Sequence, residues 1–344
     1  MTKQVSKSDL EIKKDQLEVL SIAEGFFQSS VLFALMKLKV FECIGEGDKR
    51  VDEIATMLDV QSETLTRLLN AGVVVRLLES EDGVTYQLAS ASRSVLLPSA
   101  GENYLGNWIQ NLDFFRLALS RLDEAVRTSG PVVDPSIELG SDEETTREFI
   151  LAMHNYATLM GKELTRFLDT SKSKTLLDLG CGPGTYAFHL GMQNPNLQLY
   201  LADLPGVLKF AQEVRSKYSF QNETHYLPLD ILKDDVPGTY DLILVSNLLH
   251  MLGEKVSRSL IKRLYELVNP GGSLVVQARY LQDNRLGPRW AVMLDLNQLC
   301  TTIEGRNHTV RETQRWLEEA GFNNIEFCRM TFLNNNSFLR GHKL

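Results

Sequence analysis

The sequence lacks the features that mark several classes of protein. Its four cysteines, Cys43, Cys181, Cys300 and Cys328, are scattered without paired spacing, which indicates neither a zinc site nor a disulfide framework. A net charge of −8 argues against a basic surface for nucleic acid or a membrane, so we expect neither partner. The N-terminal MTKQVSKSDLEIKKDQ is too polar for a secretory signal, and no apolar run approaches the roughly 18 residues of a membrane span. Together these absences predict a cytoplasmic protein.

The N-terminal part combines an apolar helix with a small helical module. Apolar residues recur at helical spacing over residues 17–41, and around FFQSSVLFALMKLKVF they cover nearly the whole circumference of the predicted helix. Such a helix must be covered, and we expect a homodimer that covers it. Two more helical segments and a hairpin turning at Asp82-Gly83 complete the pattern of a winged helix. Its presumed recognition helix offers only Arg67 and Arg76 as cations, which favours dimerisation over DNA binding.

The remainder changes from helices to an alternation of strands and helices. Residues 102–170 look helical, with a linker-like break at 129–144. After Lys174, strand candidates alternate with amphipathic helices, which predicts an α/β fold with a parallel, doubly wound sheet. The strands are TLLDL, LQLYLAD, ETHYLPLD, YDLILVSN and GSLVVQA, followed by NIEFCRM and SFLRGHK as an antiparallel pair at the edge. The predicted domains are 1–100, winged-helix-like and dimerising; 101–170, a helical connector contributing to a substrate pocket; and 171–344, the α/β domain.

A glycine turn follows the first predicted strand, in TLLDLGCGPG. Gly180, Gly182 and Gly184 let the backbone turn sharply and approach a ligand closely. The spacing G-x-G-x-G differs from the G-x-G-x-x-G of dinucleotide enzymes, which makes a nicotinamide-dependent oxidoreductase the least favoured function. Asp178 lies just before the turn, where a carboxylate repels a pyrophosphate and suits a cation.

Two more acids end the next two predicted strands. Asp203 is placed to accept both hydroxyls of a ribose, and Asp230 is placed near an adenine amine. Three acids at three strand ends favour a positively charged nucleoside without phosphates. S-adenosylmethionine, with its ammonium and sulfonium, fits that description.

These segments carry a family resemblance. Residues 175–280 resemble a class I S-adenosylmethionine-dependent methyltransferase, and the whole chain resembles the small-molecule O-methyltransferases that include plant caffeate-type and bacterial tailoring enzymes. The resemblance rests on three segments: the glycine turn, LYLADLPGV with its D-L-P signature, and DLILVSNLLHMLGEKVSRSLIKRLYELVNPGGSLVV. The resemblance implies a Rossmann-like seven-stranded sheet behind a winged-helix dimerisation domain, a small-molecule acceptor, and a donor that leaves as S-adenosylhomocysteine. The implied cofactor residues are Asp178, Gly180, Gly182, Gly184, Asp203, Leu204, Asp230, Ile231 and Ser246, although relatives often have Lys or Arg at the position of Ser246.

The resemblance also gives His250 the role of general base. It follows a strand that opens into the predicted cleft, and an imidazole can take the proton of a phenol during methyl transfer. Relatives orient this histidine with two acids, whose positions here are occupied by Ala278 and Asn307. We therefore expect a weaker base, whose pKa stays near 6.5 unless His308 or Arg279 lies close and lowers it, and a compensating role for His308 beside Asn307.

Some assignments stay open at this stage. Arg279, at the end of the fifth strand, either meets an acceptor carboxylate or belongs to a structural ion pair. Asn247 and Asn297 occupy positions where some related folds hold a metal, and they are poor ligands for a soft one, so we expect no metal. The alternatives to O-methylation are a C-methyltransferase acting on an enolisable 2-keto acid or tetrapyrrole-like ring, and a ligand-sensing transcription regulator.

Overall fold

The computed structural model describes residues 9–134, 142–330 and 336–344, with side chains from Glu11 onward. The chain divides into two compact units, Met1–Gly106 and Asn107–Leu344. Residues 135–141, inside the predicted break at 129–144, lie outside the described ranges.

The first unit is mainly helical and has one small sheet. Its sheet has the strand order β1-β3-β2, and the hairpin predicted at Asp82-Gly83 is the antiparallel pair of β2 and β3. Its elements are α1 (Asp9–Glu24), α2 (Phe26–Lys37), α3 (Val40–Ile44), β1 (Asp48–Arg50), α4 (Val51–Leu58), α5 (Ser62–Val74), β2 (Leu78–Glu79), β3 (Thr85–Leu88), α6 (Ser90–Val95) and a 3-10 turn (Pro98–Asn103).

The apolar segment at 17–41 is not one helix. It spans α1, α2 and the start of α3, and the break after α2 occurs where Lys39 takes a left-handed backbone conformation with φ of 55°. Phe33, Leu35 and Met36 are buried, whereas Ile22 is 77% exposed. The stretch Glu11–Lys37 is long and apolar enough to cross a membrane by length and composition, with a hydropathy of 1.6. The unbroken apolar runs in this stretch are nevertheless shorter than a membrane span, because polar residues such as Glu24, Gln28 and Lys37 interrupt it.

The second unit contains a helical region followed by the predicted α/β domain. The helical region consists of α7 (Gly106–Leu119, beginning at the last residue of the first unit), α8 (Leu122–Thr128) and α9 (Glu143–Phe167). The α/β part consists of β4 (Thr175–Leu179), α10 (Thr185–Gln193), β5 (Gln198–Asp203), α11 (Pro205–Arg215), β6 (Thr224–Pro228), β7 (Tyr240–Ser246), a 3-10 turn (Leu249–Met251), α12 (Glu254–Leu267), β8 (Val268–Ala278), α13 (Arg289–Thr301), α14 (Val310–Ala320), β9 (Asn323–Arg329) and β10 (Ser337–His342).

The strands of the second unit form the expected seven-stranded sheet. Their order in the described part of the chain is β6-β5-β4-β7-β8-β10-β9. The first five are parallel, and β10 runs antiparallel to both β8 and β9. The predicted antiparallel pair is confirmed, with β9 at the edge and β10 inserted beside β8.

Alternate residues of the central strands face two apolar cores. Leu176 on β4 packs with the side chains of α9, α10 and α11, whereas Leu177 packs with α12 and α14. This alternation is what the period of two along a strand requires when helices cover both faces. Strand order reverses between β4 and β7, and ligands bind at the carboxyl ends of strands at such a reversal.

Candidate active site

The glycine turn lies at the carboxyl end of β4. Gly180, Gly182 and Gly184 all have positive φ, of 67°, 52° and 71°, a conformation that a side chain disfavours. A Cβ on Gly184 would also come within 2.7 Å of Phe188 Cζ and 3.0 Å of Leu201 Cδ1. The three glycines are therefore required by the backbone, as the sequence predicted.

Asp203 joins this turn to the end of β5. Its Oδ2 accepts the Gly182 N–H at 2.7 Å, and its Oδ1 accepts the Leu204 N–H at 2.8 Å. Burial raises the pKa of Asp203, while the two backbone donors lower it. Each oxygen keeps a second lone pair, so the carboxylate can still accept two hydroxyl donors.

Asp178 is more deeply buried, at 1% exposure. Its Oδ2 has no hydrogen-bond partner among the described residues. Burial, followed by the neighbouring charge of Asp203, raises the pKa of Asp178 to about 7, although the Ala187 N–H acts in the opposite direction. A buried carboxyl with a free oxygen is a site for a cation or a hydrogen-bond donor.

Asp230 is held differently from the other two acids. Its carboxylate forms an ion pair with Lys233 at 2.8 Å, and this contact is the largest cause of its lowered pKa. Ile231 is half-buried, and its Cδ1 would lie 3.5 Å from a Cβ on Gly180. Ile231 thus borders the glycine turn, whereas Asp230 is already engaged.

Ser246 ends β7 in a small polar network. Its hydroxyl donates to Gln277 Oε1 at 3.1 Å and accepts from Asn247 Nδ2 at 3.1 Å. The Tyr186 side chain lies close enough to Ser246 and Gln277 for them to influence its pKa, which burial raises. Sequence reasoning missed Gln277 and Tyr186, because a buried strand residue and a helix residue carry no recognisable motif.

His250 lies in the 3-10 turn that follows β7. No described residue forms a hydrogen bond with its ring, which agrees with the replacement of the two orienting acids by Ala278 and Asn307. Burial, then the charges of Arg279 and His308, lower the pKa of His250 to about 3. The direction of this shift is the one expected for a neighbouring Arg279 or His308, and burial is the largest cause.

His308 contacts the backbone beside His250, whereas Asn307 bonds to α13. His308 Nε2 lies 3.2 Å from the carbonyl oxygen of Leu249, the residue before His250. The Asn307 amide donates to the Ala291 carbonyl at 2.6 Å, and its N–H donates to Asp295 Oδ1 at 2.6 Å. Asn307 thereby anchors α13, and His308 contacts the turn that carries His250.

Arg279 follows β8 and is only 6% exposed. Its guanidinium lies 4.5 Å from the centre of the Tyr156 ring. Within the described ranges no carboxylate lies within ion-pair distance, and Arg279 Nε has no hydrogen-bond partner. A cation–π contact stabilises a desolvated cation by about 2 kcal/mol, which is less than a buried unpaired charge costs. Of the two roles predicted for Arg279, the structural ion pair is not found in the described part of the chain.

The residues around the glycine turn fit S-adenosylmethionine. The buried free oxygen of Asp178 suits a cationic group, and Asp203 has lone pairs for two hydroxyls. Gly180 keeps open a space that a Cβ would fill, 3.2 Å from Leu248. Where side chains are described, no group of three His, Cys, Asp or Glu residues is arranged to hold a metal ion.

Comparison with known proteins agrees with this geometry. A model of the O-methyltransferase domain matches residues 135–323, and a model of the O-methyltransferase dimerisation domain matches residues 20–98.

Individual relatives match over nearly the whole chain. The chain is 27% identical to 3-hydroxy-5-methyl-1-naphthoate 3-O-methyltransferase of Streptomyces sahachiroi, covering 94% of each sequence. It is 28% identical to the tetracenomycin polyketide synthesis 8-O-methyl transferase of Streptomyces glaucescens, over 90% of this chain and 91% of that one. Its fold matches the crystal structure of human N-acetylserotonin methyltransferase in complex with SAM, with a TM-score of 0.86, 24% identity and 99% coverage of both chains.

The raised pKa of Asp178 predicts a pH-dependent affinity for a cationic ligand. Because its pKa is about 7, Asp178 loses its proton as pH rises from 6 to 8, and the ionised form binds a cation better. The affinity for S-adenosylmethionine, measured by calorimetry, should rise over this range by at most about tenfold per pH unit. Asp178→Asn should lose this pH-dependent part of the affinity. The ligand's own amine titrates equally with both proteins, so the difference between their pH profiles reports Asp178 alone. An equal pH slope in both proteins would exclude Asp178 as the cause.

Proposed function

Because the chain belongs to the O-methyltransferase family that carries its own dimerisation domain, we propose that it methylates a hydroxyl of a secondary metabolite or pigment, with His250 as general base. The observation that carries this proposal is the meeting of three features at one edge of the sheet. The glycine turn after β4, Asp203 at the end of β5 and His250 after β7 all follow carboxyl ends of neighbouring parallel strands.

The cofactor is S-adenosylmethionine, which supplies an electrophilic methyl group on a sulfonium when bound. We propose that Asp203 accepts the ribose hydroxyls and that the turn of Gly180, Gly182 and Gly184 approaches the ligand through its backbone. Asp178 then faces the cationic part, which its buried free oxygen supports. The other proposed cofactor residues line the same strand ends: Leu204, Asp230, Ile231 and Ser246.

His250 receives the proton of the acceptor hydroxyl in this proposal. With a pKa of about 3 the ring is neutral near pH 7, so it is always free to accept a proton. The same low pKa makes it a weak base, and it therefore suits an acidic hydroxyl better than a fully neutral one. Alignment of the acceptor oxygen with the methyl group then contributes more of the rate than proton transfer does.

His308 and Asn307 are positioning residues in this scheme. The contact of His308 with the Leu249 carbonyl supports a role in fixing the turn that presents His250. The Asn307 bonds to Ala291 and Asp295 support the same role for α13, which we propose to border the acceptor. No feature of the described residues favours C-methylation or ligand-sensing regulation over O-methylation.

We also propose that the domains follow the predicted limits, 1–100, 101–170 and 171–344. The N-terminal domain then forms the homodimer through α1 and α2, whose exposed side chains include Leu17, Ile22 and Phe27. Leaving such a surface in water costs about 25 cal/mol per Å² of apolar area. The net charge of −8 supports a cytoplasmic enzyme that binds neither nucleic acid nor a membrane.

Cofactor binding should depend on Asp203 and not on an acid at the opposite end of the sheet. Asp203→Asn should weaken binding of S-adenosylmethionine and S-adenosylhomocysteine by about tenfold or more, measured by calorimetry. Asp241→Asn is the matched control, because Asp241 also accepts two backbone N–H groups, from Lys174 and Thr175, but at the amino end of β7. Preferential binding of NAD, or equal losses in both variants, would contradict the proposal.

His250→Ala should lower kcat by about 10²-fold while leaving cofactor affinity unchanged, because only proton acceptance is lost. The wild-type rate should show no fall centred on pH 6.5, since the pKa of His250 lies far below that value. His225→Ala, on β6, is the control for removal of a histidine. Near-wild-type turnover by His250→Ala on a neutral phenolic acceptor would show that His250 is not the base.

The dimer should dissociate when charge is placed on the apolar helices. Light scattering should give a dimer at micromolar concentration for the wild type, and a monomer for the double variant Ile22→Glu, Phe27→Glu, since each exposed side chain loses its apolar contact. Val74→Glu is the control, at an apolar residue of α5 that is 80% exposed. If the wild type is instead monomeric and floats with lipid vesicles in a flotation assay, the Glu11–Lys37 segment binds a membrane and the dimer proposal is wrong.

A further inference from the structure

Arg279 is a buried cation that has no counter-ion among the described residues. Its side chain is 6% exposed, and among the described residues it forms no ion pair. The guanidinium Nε also lacks a hydrogen-bond partner. A buried charge needs a partner to offset its desolvation, and Tyr156 offers only the face of its ring. The side chain is thus arranged for an anion that binds from outside the chain.

Further donors without acceptors occur beside Arg279. The Tyr156 hydroxyl and Gln277 Nε2 are both buried without a partner among the described residues. Tyr156 contacts the guanidinium directly, and Gln277 lies near the end of β8, two residues before Arg279. A cluster with one positive charge and unused N–H and O–H groups matches the hydrogen-bonding needs of a carboxylate.

Strand order separates this cluster from the glycine turn. The turn follows β4, and β8 lies two strands away, beyond β7. Because neighbouring strands lie about 4.8 Å apart, the ends of β4 and β8 are roughly 10 Å apart. His250 follows β7, the strand between them, and the charge of Arg279 is one of the causes that lower its pKa, after burial. The anion site therefore lies at the end of β8, close enough to His250 for the two charges to interact.

The rings next to Arg279 are suited to an aromatic ligand. Trp108 lies 4.9 Å from Tyr156 and 6.2 Å from Phe115, measured between ring centres. Both Trp108 and Phe115 are half-buried on α7, so their rings are partly accessible. An aromatic carboxylate can contact these rings and the guanidinium together.

We propose that the methyl acceptor is an aromatic hydroxy acid whose carboxylate pairs with Arg279 while its hydroxyl faces His250. This inference rests on the proposed function, since it assigns the acceptor of the same site. The carboxylate fixes the orientation of the ring, and the nearby guanidinium charge favours ionisation of the hydroxyl. Both effects assist a weakly basic histidine. The carboxylate of the cofactor has the same chemistry, and the test below separates the two sources.

The test measures binding to protein saturated with S-adenosylhomocysteine, so it does not depend on turnover. The probes are positional isomers of hydroxybenzoate and hydroxynaphthoate. The affinity of each acid is compared with that of its methyl ester, which keeps the hydroxyl and lacks the negative charge. The wild type should bind at least one acid roughly 10- to 100-fold more tightly than its ester, as expected for a charge-assisted hydrogen bond. Arg279→Gln should lose that preference while ester binding stays unchanged.

Three further variants check the assignment. Arg279→Lys should restore part of the preference, because it keeps the charge without the planar fork. Tyr156→Phe should weaken acid binding by a smaller factor, since it keeps the ring and removes the hydroxyl. Arg258→Gln is the control for the loss of one positive charge, at an arginine of α12 that pairs with Glu319. It should retain the preference.

Other outcomes overturn the inference. Equal affinity of the wild type for every acid and its ester, or binding of neither, excludes an anion site for the acceptor. If Arg279→Gln weakens binding of S-adenosylhomocysteine but not of methylthioadenosine, which lacks the amino-acid part, Arg279 binds the cofactor carboxylate instead. Tight, Arg279-dependent binding of an acid that is never methylated would support the anion site and contradict the proposed function.

Discussion

The hydrogen bond from the Gly182 N–H to the Asp203 carboxylate joins the turn after β4 to the end of β5. Without it, the three glycines at alternate positions would leave that turn with many accessible conformations. With it, the turn, the start of α10 and the acid that ends β5 keep one arrangement. Asp203 thus has a structural role, and in the proposed function it also accepts the ribose hydroxyls, because each of its oxygens has two lone pairs.

Strand order distributes charge along the edge of the sheet. Asp178 lies near the carboxyl end of β4 and Asp203 ends β5, so this part of the sheet edge favours a cation. Arg279 follows β8, so that part of the edge favours an anion. His250, after β7, lies between these parts. In the parallel sheet the acids and Arg279 thus arise from different strands, with β7 between β4 and β8.

Much of this site was predictable because it is encoded locally. The glycine turn and Asp203 follow apolar strands, so their positions can be read from a short pattern. The pKa of His250 could not be predicted, since it depends on burial and on Arg279 from another strand. The lack of a partner for Arg279 among the described residues and the insertion of β10 beside β8 are equally non-local. The break at Lys39 was also missed, because a single left-handed residue leaves no hydrophobic signal.

The placement of β10 affects what it costs the protein to bind a ligand at the end of β8. Because β8 is hydrogen-bonded to β7 on one side and to β10 on the other, its last residues belong to the interior of the sheet and have no free edge. Ser337 pairs with Ala278, directly before Arg279. The backbone that carries the guanidinium is consequently ordered before any anion arrives. Little conformational entropy is then lost when an anion binds. More of the free energy of its contacts therefore contributes to the affinity, and to the difference in affinity between an anion and a neutral ligand.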